Sequence, residues 1–146
     1  MTKMRFLMHE VLQKVSNAKT KKEKIKLMQD YNTNALRMLF IINFDDSIVS
    51  MLPPGNVPYT PNEAPEGTEH TILEKEARLL HHFFKGGSSL KQAKRENMFI
   101  QMLEGLVKGE AEVLVLAKDK KLGKRYKITH ACVEEAFPTI QWGSRS

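Results

Sequence analysis

The sequence has one cysteine, Cys132, in 146 residues, so no disulfide can form within the chain. A chain of this length buries enough apolar surface to fold without disulfides or metals, and we expect one domain in a reducing compartment. No apolar run approaches the roughly 20 residues that a membrane helix requires. Charged residues interrupt the N-terminal stretch, which therefore lacks the apolar block of a signal peptide. The sequence predicts no membrane association.

Groupings of residues that are typical of enzymes or metal sites are also missing. The histidines and Cys132 have no ligand-like spacing; His81 and His82 are adjacent and would point about 100° apart on a helix. The stretch Lys85-Gly-Gly-Ser-Ser lacks the spacing and the final Lys-Ser/Thr of a phosphate-binding loop. We therefore expect a protein without catalytic residues, cofactor or metal.

Positive charge is what the sequence has in excess. Lysine and arginine number 23 against 17 acids, which gives a net charge of +6. Residues 43–76 hold seven acids and one lysine, a balance of −6, so the rest of the chain carries +12. A basic body beside one acidic segment favours a polyanionic partner. The alternative is a soluble protein with lysine-rich helix surfaces, because +6 is modest for a nucleic-acid binder.

Hydrophobic periodicity predicts helices over most of the chain and no convincing strand. The fold class is therefore all-α: a compact single-domain bundle of about seven helices over residues 1–142, with residues 143–146 as a frayed tail. Residues 119–127 are expected to be an irregular basic loop. The helices are expected at about 3–15, after a Thr20 cap, at 35–43, 73–85, 89–107 and 110–118, and after a Thr129 cap.

Residues 73–107 form the predicted centre of this bundle. An apolar stripe ends just before Gly86 and Gly87, which predict a left-handed turn at the end of one helix. Ser89 and Gln92 form a capping-box pattern that opens the next helix. Two amphipathic helices joined by so short a turn are expected to fold back on each other.

Proline is concentrated in residues 53–70, a segment too rich in proline for a helix and too long for a plain connector. One interpretation is a peptide-like arm that docks on another protein, with Val57 and Tyr59 among its contacts. The alternative is an extended loop that wraps across the helices with Tyr59 tucked in. The sequence leaves both open.

Basic segments on either side of the glycine turn and late in the chain are the candidate nucleic-acid interface. The turn leaves free amides beside Lys85, and Gly123 would let a backbone approach closely. Such contacts would go to phosphate, since no helix carries Arg, Asn and Gln placed to read base edges. The predicted contact residues are Lys85, Gly86, Gly87, Lys94, Arg95, Lys120, Lys121, Gly123, Lys124 and Arg125.

A second group of lysines crowds the start of the helix that follows Thr20. Positive charge at a helix N-terminus opposes the helix dipole. A phosphate-contacting patch and a merely solvated face are both compatible with this pattern. The lysines are Lys19, Lys21, Lys22, Lys24 and Lys26.

Two stretches resemble the helical DNA-binding domain of phage ATP-dependent DNA ligases. Residues 118–138 contain an aspartate, a nearby glycine, a polar helix start and a final aromatic-proline pair in the order of that domain, and residues 11–27 resemble its first helices. The resemblance implies an all-helical fold that lies along the minor groove. Its contact segment would be Asp119, Lys120, Lys121, Gly123, Lys124 and Arg125. The chain lacks the Lys-x-Asp-Gly motif of the ligase catalytic domain, so ligation is excluded for it alone, and the proline-rich segment does not fit the pattern.

The chain as a whole more closely resembles an uncharacterised family of small proteins from contractile-tailed marine phages, cyanophages included. The stretches that carry this resemblance are Phe44-Asp-Asp-Ser-Ile-Val, Val57-Pro-Tyr-Thr-Pro-Asn, Phe84-Lys-Gly-Gly, Arg95-Glu-Asn-Met-Phe, Met102-Leu-Glu-Gly-Leu and Glu135-Ala-Phe-Pro. The resemblance implies a phage origin and supplies no activity.

Together these observations predict a phage-encoded, non-catalytic protein of the host cytoplasm that contacts the backbone of duplex DNA through a basic surface. The alternative is a virion structural protein or an adaptor that contacts other phage or host proteins. In that case the proline-rich arm and Trp142 would be the contact elements.

Overall fold

The computed structural model describes residues 7–55, 57–60 and 71–143. In these ranges the chain forms an all-α single-domain bundle, as predicted, and its one strand-like pairing is an isolated bridge between Ser50 and Phe84. None of the described helices is both long and apolar enough to cross a membrane. The helices are α1 (Met8–Asn17), α2 (Lys21–Asp30), α3 (Asn34–Phe44), α4 (Leu73–Glu76), α5 (Gln92–Gly105), α6 (Lys108–Lys118), α7 (Leu122–Tyr126) and α8 (His130–Ala136), with a 3-10 segment at Ala77–Phe83.

The core is one cluster of buried side chains to which every described helix contributes, and α6 packs against both α1 and α3 in it. Leu36, Leu39 and Phe40 of α3 are fully buried, because apolar residues occupy nearly every side of this helix. Each such side chain stabilises the fold by about 1.5–3 kcal/mol relative to exposure. Helices α2 and α8 pack together as a pair, and α1 joins α2 to α6. Residues 73–107 belong to the same core and supply several of its largest fully buried side chains, among them Leu80, Phe83 and Leu103.

Two predicted helix starts are confirmed by their caps. The Thr20 hydroxyl accepts the Glu23 N–H at 3.1 Å, and the Thr129 hydroxyl accepts the Cys132 N–H at 3.2 Å. Each bond satisfies an amide that has no partner inside its helix. These caps are local, which is why the sequence shows them.

The predicted central pair of helices is partly wrong. Its first helix tightens after one turn into the 3-10 segment, and α5 begins only at Gln92, without a side-chain cap from Ser89. The cause is tertiary: the N–H of Met51 donates to the Phe83 carbonyl at 2.9 Å, and the N–H of Lys85 donates to the Val49 carbonyl at 2.8 Å. These bonds draw the chain out of the helix. The predicted left-handed turn is confirmed at Gly86, whose φ is +85°.

A buried carboxylate joins the starts of two helices. Glu110 of α6 is fully buried; its Oε2 accepts the N–H of Met8 at 2.7 Å, and its Oε1 accepts the N–H of Leu73 at 2.9 Å. These amides open α1 and α4, and neither helix has a side-chain cap from its preceding residue. One carboxylate therefore caps two helices and satisfies their positive ends.

The start of the proline-rich segment is held by the end of α6. The buried amine of Lys118 donates to the carbonyls of Pro53 at 2.9 Å and Gly55 at 3.2 Å. Asp119 pairs with that amine at 2.6 Å and accepts the N–H of Gly55 at 3.0 Å. This clasp fixes the direction in which the chain leaves the bundle.

The next described residues of the segment lie against α5. The N–H of Thr60 donates to the Glu104 carboxylate at 2.9 Å, and Tyr59 is half-buried. Burial raises the pKa of the Tyr59 hydroxyl. For residues 57–60 the structure therefore has the wrapped loop with Tyr59 tucked in; residues 61–70 of the predicted arm lie outside the described residues.

The predicted frayed tail is corrected at its first residue. The N–H of Gly143 donates to the carboxylate of Asp45 at 2.9 Å, so the chain is anchored there. Asp45 is buried and sits at the end of α3. The remaining tail, residues 144–146, lies outside the described residues.

Candidate nucleic-acid interface

Helix α7 orders the late basic segment, which the sequence predicted to be irregular. The buried side-chain oxygen of Asn43 accepts the N–H of Leu122 at 2.8 Å, so α3 supplies the first hydrogen bond of α7. Lys120 and Lys127 flank the helix in left-handed conformations, with φ of +60° and +56°. Such backbone conformations cost about 1–2 kcal/mol each for residues other than glycine. The sequence did not reveal α7 for two reasons. Five residues are too few to show helical periodicity, and the side chain that caps α7 is 79 positions away in the chain.

Gly123 is buried in packing and is not available to a nucleic-acid backbone, contrary to the prediction. A Cβ at this position would lie 2.7 Å from Cζ of Phe44 and 2.6 Å from the carbonyl oxygen of Ile128. What approaches Gly123 closely is therefore the Phe44 ring. The glycine allows α7 to lie against the end of α3.

Replacement of Gly123 by alanine is expected to lower the free energy of unfolding by about 1–3 kcal/mol, as overpacking of a close contact does. Chemical denaturation of the variant and of the wild-type protein measures the difference. The double variant with Phe44→Leu should recover part of the loss, because the ring contact is removed while the Ile128 carbonyl remains. Unchanged stability of Gly123→Ala would show that α7 can shift freely.

The amine of Lys120 points inward, which contradicts the prediction that Lys120 contacts phosphate. Its Nζ donates to the carbonyls of Ile42 at 2.8 Å and Asp45 at 2.9 Å. Burial lowers the pKa of this amine, with Asp46 and Asp45 acting in the opposite direction. Carbonyls at the end of a helix lack intrahelical partners, and a lysine that bonds them stabilises that end. Lys120 is therefore chiefly a cap of α3.

The structure also contradicts the prediction that Arg95 contacts phosphate. Its side chain is buried, with a residue exposure of 5%, and its guanidinium is consumed by bonds inside the protein. It donates to the carbonyls of His82 and Leu90, both at 2.9 Å, and to the side chain of Gln92 at 2.7 Å. Arg95 therefore ties α5 to the turn before it and cannot reach a phosphate.

Three adjoining open hollows carry most of the remaining predicted residues. The first, about 420 Å³, is largely apolar and is lined by Lys85, Gly86 and Gly87 beside Ile48. The second, about 490 Å³, shares Ile48 with the first and also contains Lys121. The structure thus brings the glycine turn and the late basic segment, far apart in sequence, to adjoining parts of the surface.

The third hollow is the most basic of the three. It measures about 470 Å³ and shares Lys120 with the second hollow. Lys124 and Lys127 line it and are exposed, and no acid occurs among the described residues of its lining. The amine of Lys24, from the lysine group of α2, donates to the carbonyl of Lys127 at 2.6 Å. Two lysine groups that were separate in the sequence therefore meet at this hollow.

Two predicted residues lie apart from these hollows. Arg125 lines a different hollow with His9 and Lys14, and its guanidinium lies 4.6 Å from the centre of the Tyr126 ring. Adjacent positions of a helix point about 100° apart, which separates Arg125 from Lys124. Lys94 is exposed on α5 and lines none of the three hollows. The candidate interface that remains is thus centred on Lys121, Lys124 and Lys127, and Lys127 is not among the predicted contact residues.

The described residues offer no group of three or more His, Cys, Asp or Glu side chains that could hold a metal ion. Cys132 is buried in the core, and burial raises the pKa of its thiol. A raised pKa lowers the fraction of thiolate, the nucleophilic form. This environment suits a packing role for Cys132.

Comparison with known proteins gives a family and no activity. Residues 11–124 match the model of a family of unknown function. No curated protein and no solved structure matches the chain. The resemblances to marine phage proteins and to the ligase domain therefore stay predictions.

Proposed function

The chain belongs to DUF6433, a family of unknown function, and we propose that it is a phage-encoded, non-catalytic protein that binds the backbone of duplex DNA. The observation that carries the proposal is the third hollow, where Lys124 and Lys127 are exposed. Their amines have no acidic partner among the described residues. The host cytoplasm is the compartment in which such a protein would meet DNA.

Electrostatics explains why a polyanion suits this hollow. The exposed Lys124 and Lys127 line it, and the amine of Lys24 lies against the carbonyl of Lys127, so like charges are close to one another. A phosphate backbone neutralises them and releases its condensed counterions, which drives association. Lysine carries a flexible point charge and lacks the planar, bidentate guanidinium with which arginine recognises bases. The binding is therefore expected to be largely independent of base sequence.

The shape of the surface favours backbone contact over base reading. The lysines come from α7, its flanking residues and α2, and α7 has only five residues. A recognition helix presents several polar side chains along one face of a longer element in the major groove. Adjoining hollows that carry lysines, with Lys121 beside the third hollow, fit a track of phosphates instead.

The double variant Lys124→Ala/Lys127→Ala is expected to lower duplex affinity on the order of 100-fold at about 50 mM salt, as the loss of two counterion-releasing contacts implies. The slope of log K against log salt should fall by about 2. Fluorescence anisotropy of a labelled duplex across a salt series measures both quantities.

A matched control removes the same charge elsewhere. Lys26 lies two positions beyond Lys24, on the opposite side of α2, and pairs with Asp30 at 3.1 Å. Lys75 is exposed on α4. Lys26→Ala/Lys75→Ala should leave the salt slope nearly unchanged. Absence of duplex binding by the wild-type protein at low salt, or equal effects of the two double variants, would rule out the proposal.

A protein-interaction role is the second candidate. Val49 and Met51 are large hydrophobic residues with exposures of 45% and 38%, and Val49 lines the second hollow. Exposed apolar groups beside the apolar first hollow favour a contact with another phage or host protein. Stoichiometric presence of the protein in purified virions, measured by mass spectrometry, would support this virion or adaptor role over DNA binding.

A further inference from the structure

An aromatic stack borders the third hollow. Phe44, which lines the hollow, stacks on the imidazole of His130 with ring centres 5.5 Å apart and planes inclined by 13°. The indole of Trp142 meets the same imidazole edge to face, with centres 4.4 Å apart. The rings come from the end of α3, the start of α8 and the C-terminal segment, so only the tertiary structure brings them together.

The stack is held in place from both ends. Gly123 leaves the space in which the Phe44 ring lies. The bond from the N–H of Gly143 to Asp45 anchors the residue next to Trp142. The side chain of His130 is 40% exposed, and Phe44 and Trp142 are partly exposed. Aromatic surface is therefore presented to solvent in a fixed position beside the lysines.

We propose that this stack seats an unpaired DNA base, so that the surface prefers DNA in which a single-stranded section adjoins a duplex. This inference rests on the proposed function. Bases of a complete duplex are stacked on one another and cannot use protein rings, whereas an unpaired base has a free face. Lys124 and Lys127 lie beside the stack, where the phosphates that flank such a base would pass.

The acidic groups around the stack favour one side of it for the phosphates. Glu134 is exposed and its carboxylate lies 3.9 Å from Nε2 of His130. Asp45 is buried, and its carboxylate is occupied by bonds to Ser47 and Gly143. A phosphate is repelled from the Glu134 side and attracted to the side of the third hollow. The backbone is therefore expected to run over the lysines with one base turned toward the rings.

The test compares three DNAs with the full chain: a blunt duplex, the same duplex with a short thymidine tail, and the same duplex with an abasic tail of equal length. The abasic tail supplies the phosphates without the bases. We expect the thymidine tail to bind about tenfold more tightly than the abasic tail, the usual gain from one stacked base. Trp142 is the only tryptophan, so its fluorescence reports the contact directly. The duplex with the thymidine tail should quench this fluorescence, and the duplex with the abasic tail should not.

Trp142→Ala should abolish the preference for the thymidine tail and leave the affinity for the blunt duplex unchanged. The comparison of tails in the wild-type protein stands without this variant, should the variant fail to fold. Equal affinity for thymidine and abasic tails would overturn the inference while duplex binding, and with it the proposed function, survives. Failure to bind any of the three DNAs would overturn both.

Discussion

Replacement of Glu110 by alanine is expected to lower the free energy of unfolding by about 2–6 kcal/mol, because two buried amides lose their acceptor at about 1–3 kcal/mol each. The amides are those of Met8 and Leu73, which open α1 and α4. Small domains are stable by only about 5–15 kcal/mol, so this single change removes a large share. Guanidinium denaturation followed by circular dichroism measures it.

Two further variants show whether the carboxylate itself is responsible. Glu112→Ala removes the same side chain two positions along α6, where it is exposed, and should change stability by no more than about 0.5 kcal/mol. Glu110→Gln keeps the volume but offers one acceptor oxygen, so its loss should fall between those of the other two. Equal stabilities of Glu110→Ala and Glu112→Ala would contradict the double cap.

Replacement of Arg95 by alanine is expected to cost about 2–4 kcal/mol of stability, because buried carbonyls lose a charged donor and a cavity remains. The carbonyls are those of His82 and Leu90, on the turn that precedes α5. The affinity of the folded variant for duplex DNA should stay at the wild-type value, since the guanidinium is not exposed. Thermal unfolding and the salt-dependent binding assay measure the two effects separately.

The neighbouring Lys94 is the matched control for Arg95. It is exposed, so Lys94→Ala should change stability by at most about 0.5 kcal/mol. Loss of a phosphate contact would lower the slope of log K against log salt by about 1. Such a decrease in Arg95→Ala would show that Arg95 contacts phosphate after all.

The candidate site was only partly visible in the sequence. The excess of positive charge outside residues 43–76 was evident, and so were most of the lysines around α7. The sequence did not show which cations have their charged groups engaged inside the protein. Arg95 and Lys120 look like their exposed neighbours in sequence, yet internal carbonyls engage both side chains. Lys127, a left-handed residue whose carbonyl accepts the Lys24 amine, lines the third hollow, a position that only the tertiary structure shows.

The sequence determined the features that depend on neighbours within a turn or two: the Thr20 and Thr129 caps, the buried face of α3 and the left-handed turn at Gly86. Tertiary structure decided the 3-10 segment, the existence of α7, the two helices capped by Glu110 and the meeting of the lysine groups. The physical reason is range. A cap three residues away leaves a pattern in the chain, whereas the bonds of Glu110 to Met8 and Leu73 span 102 and 37 positions and leave none.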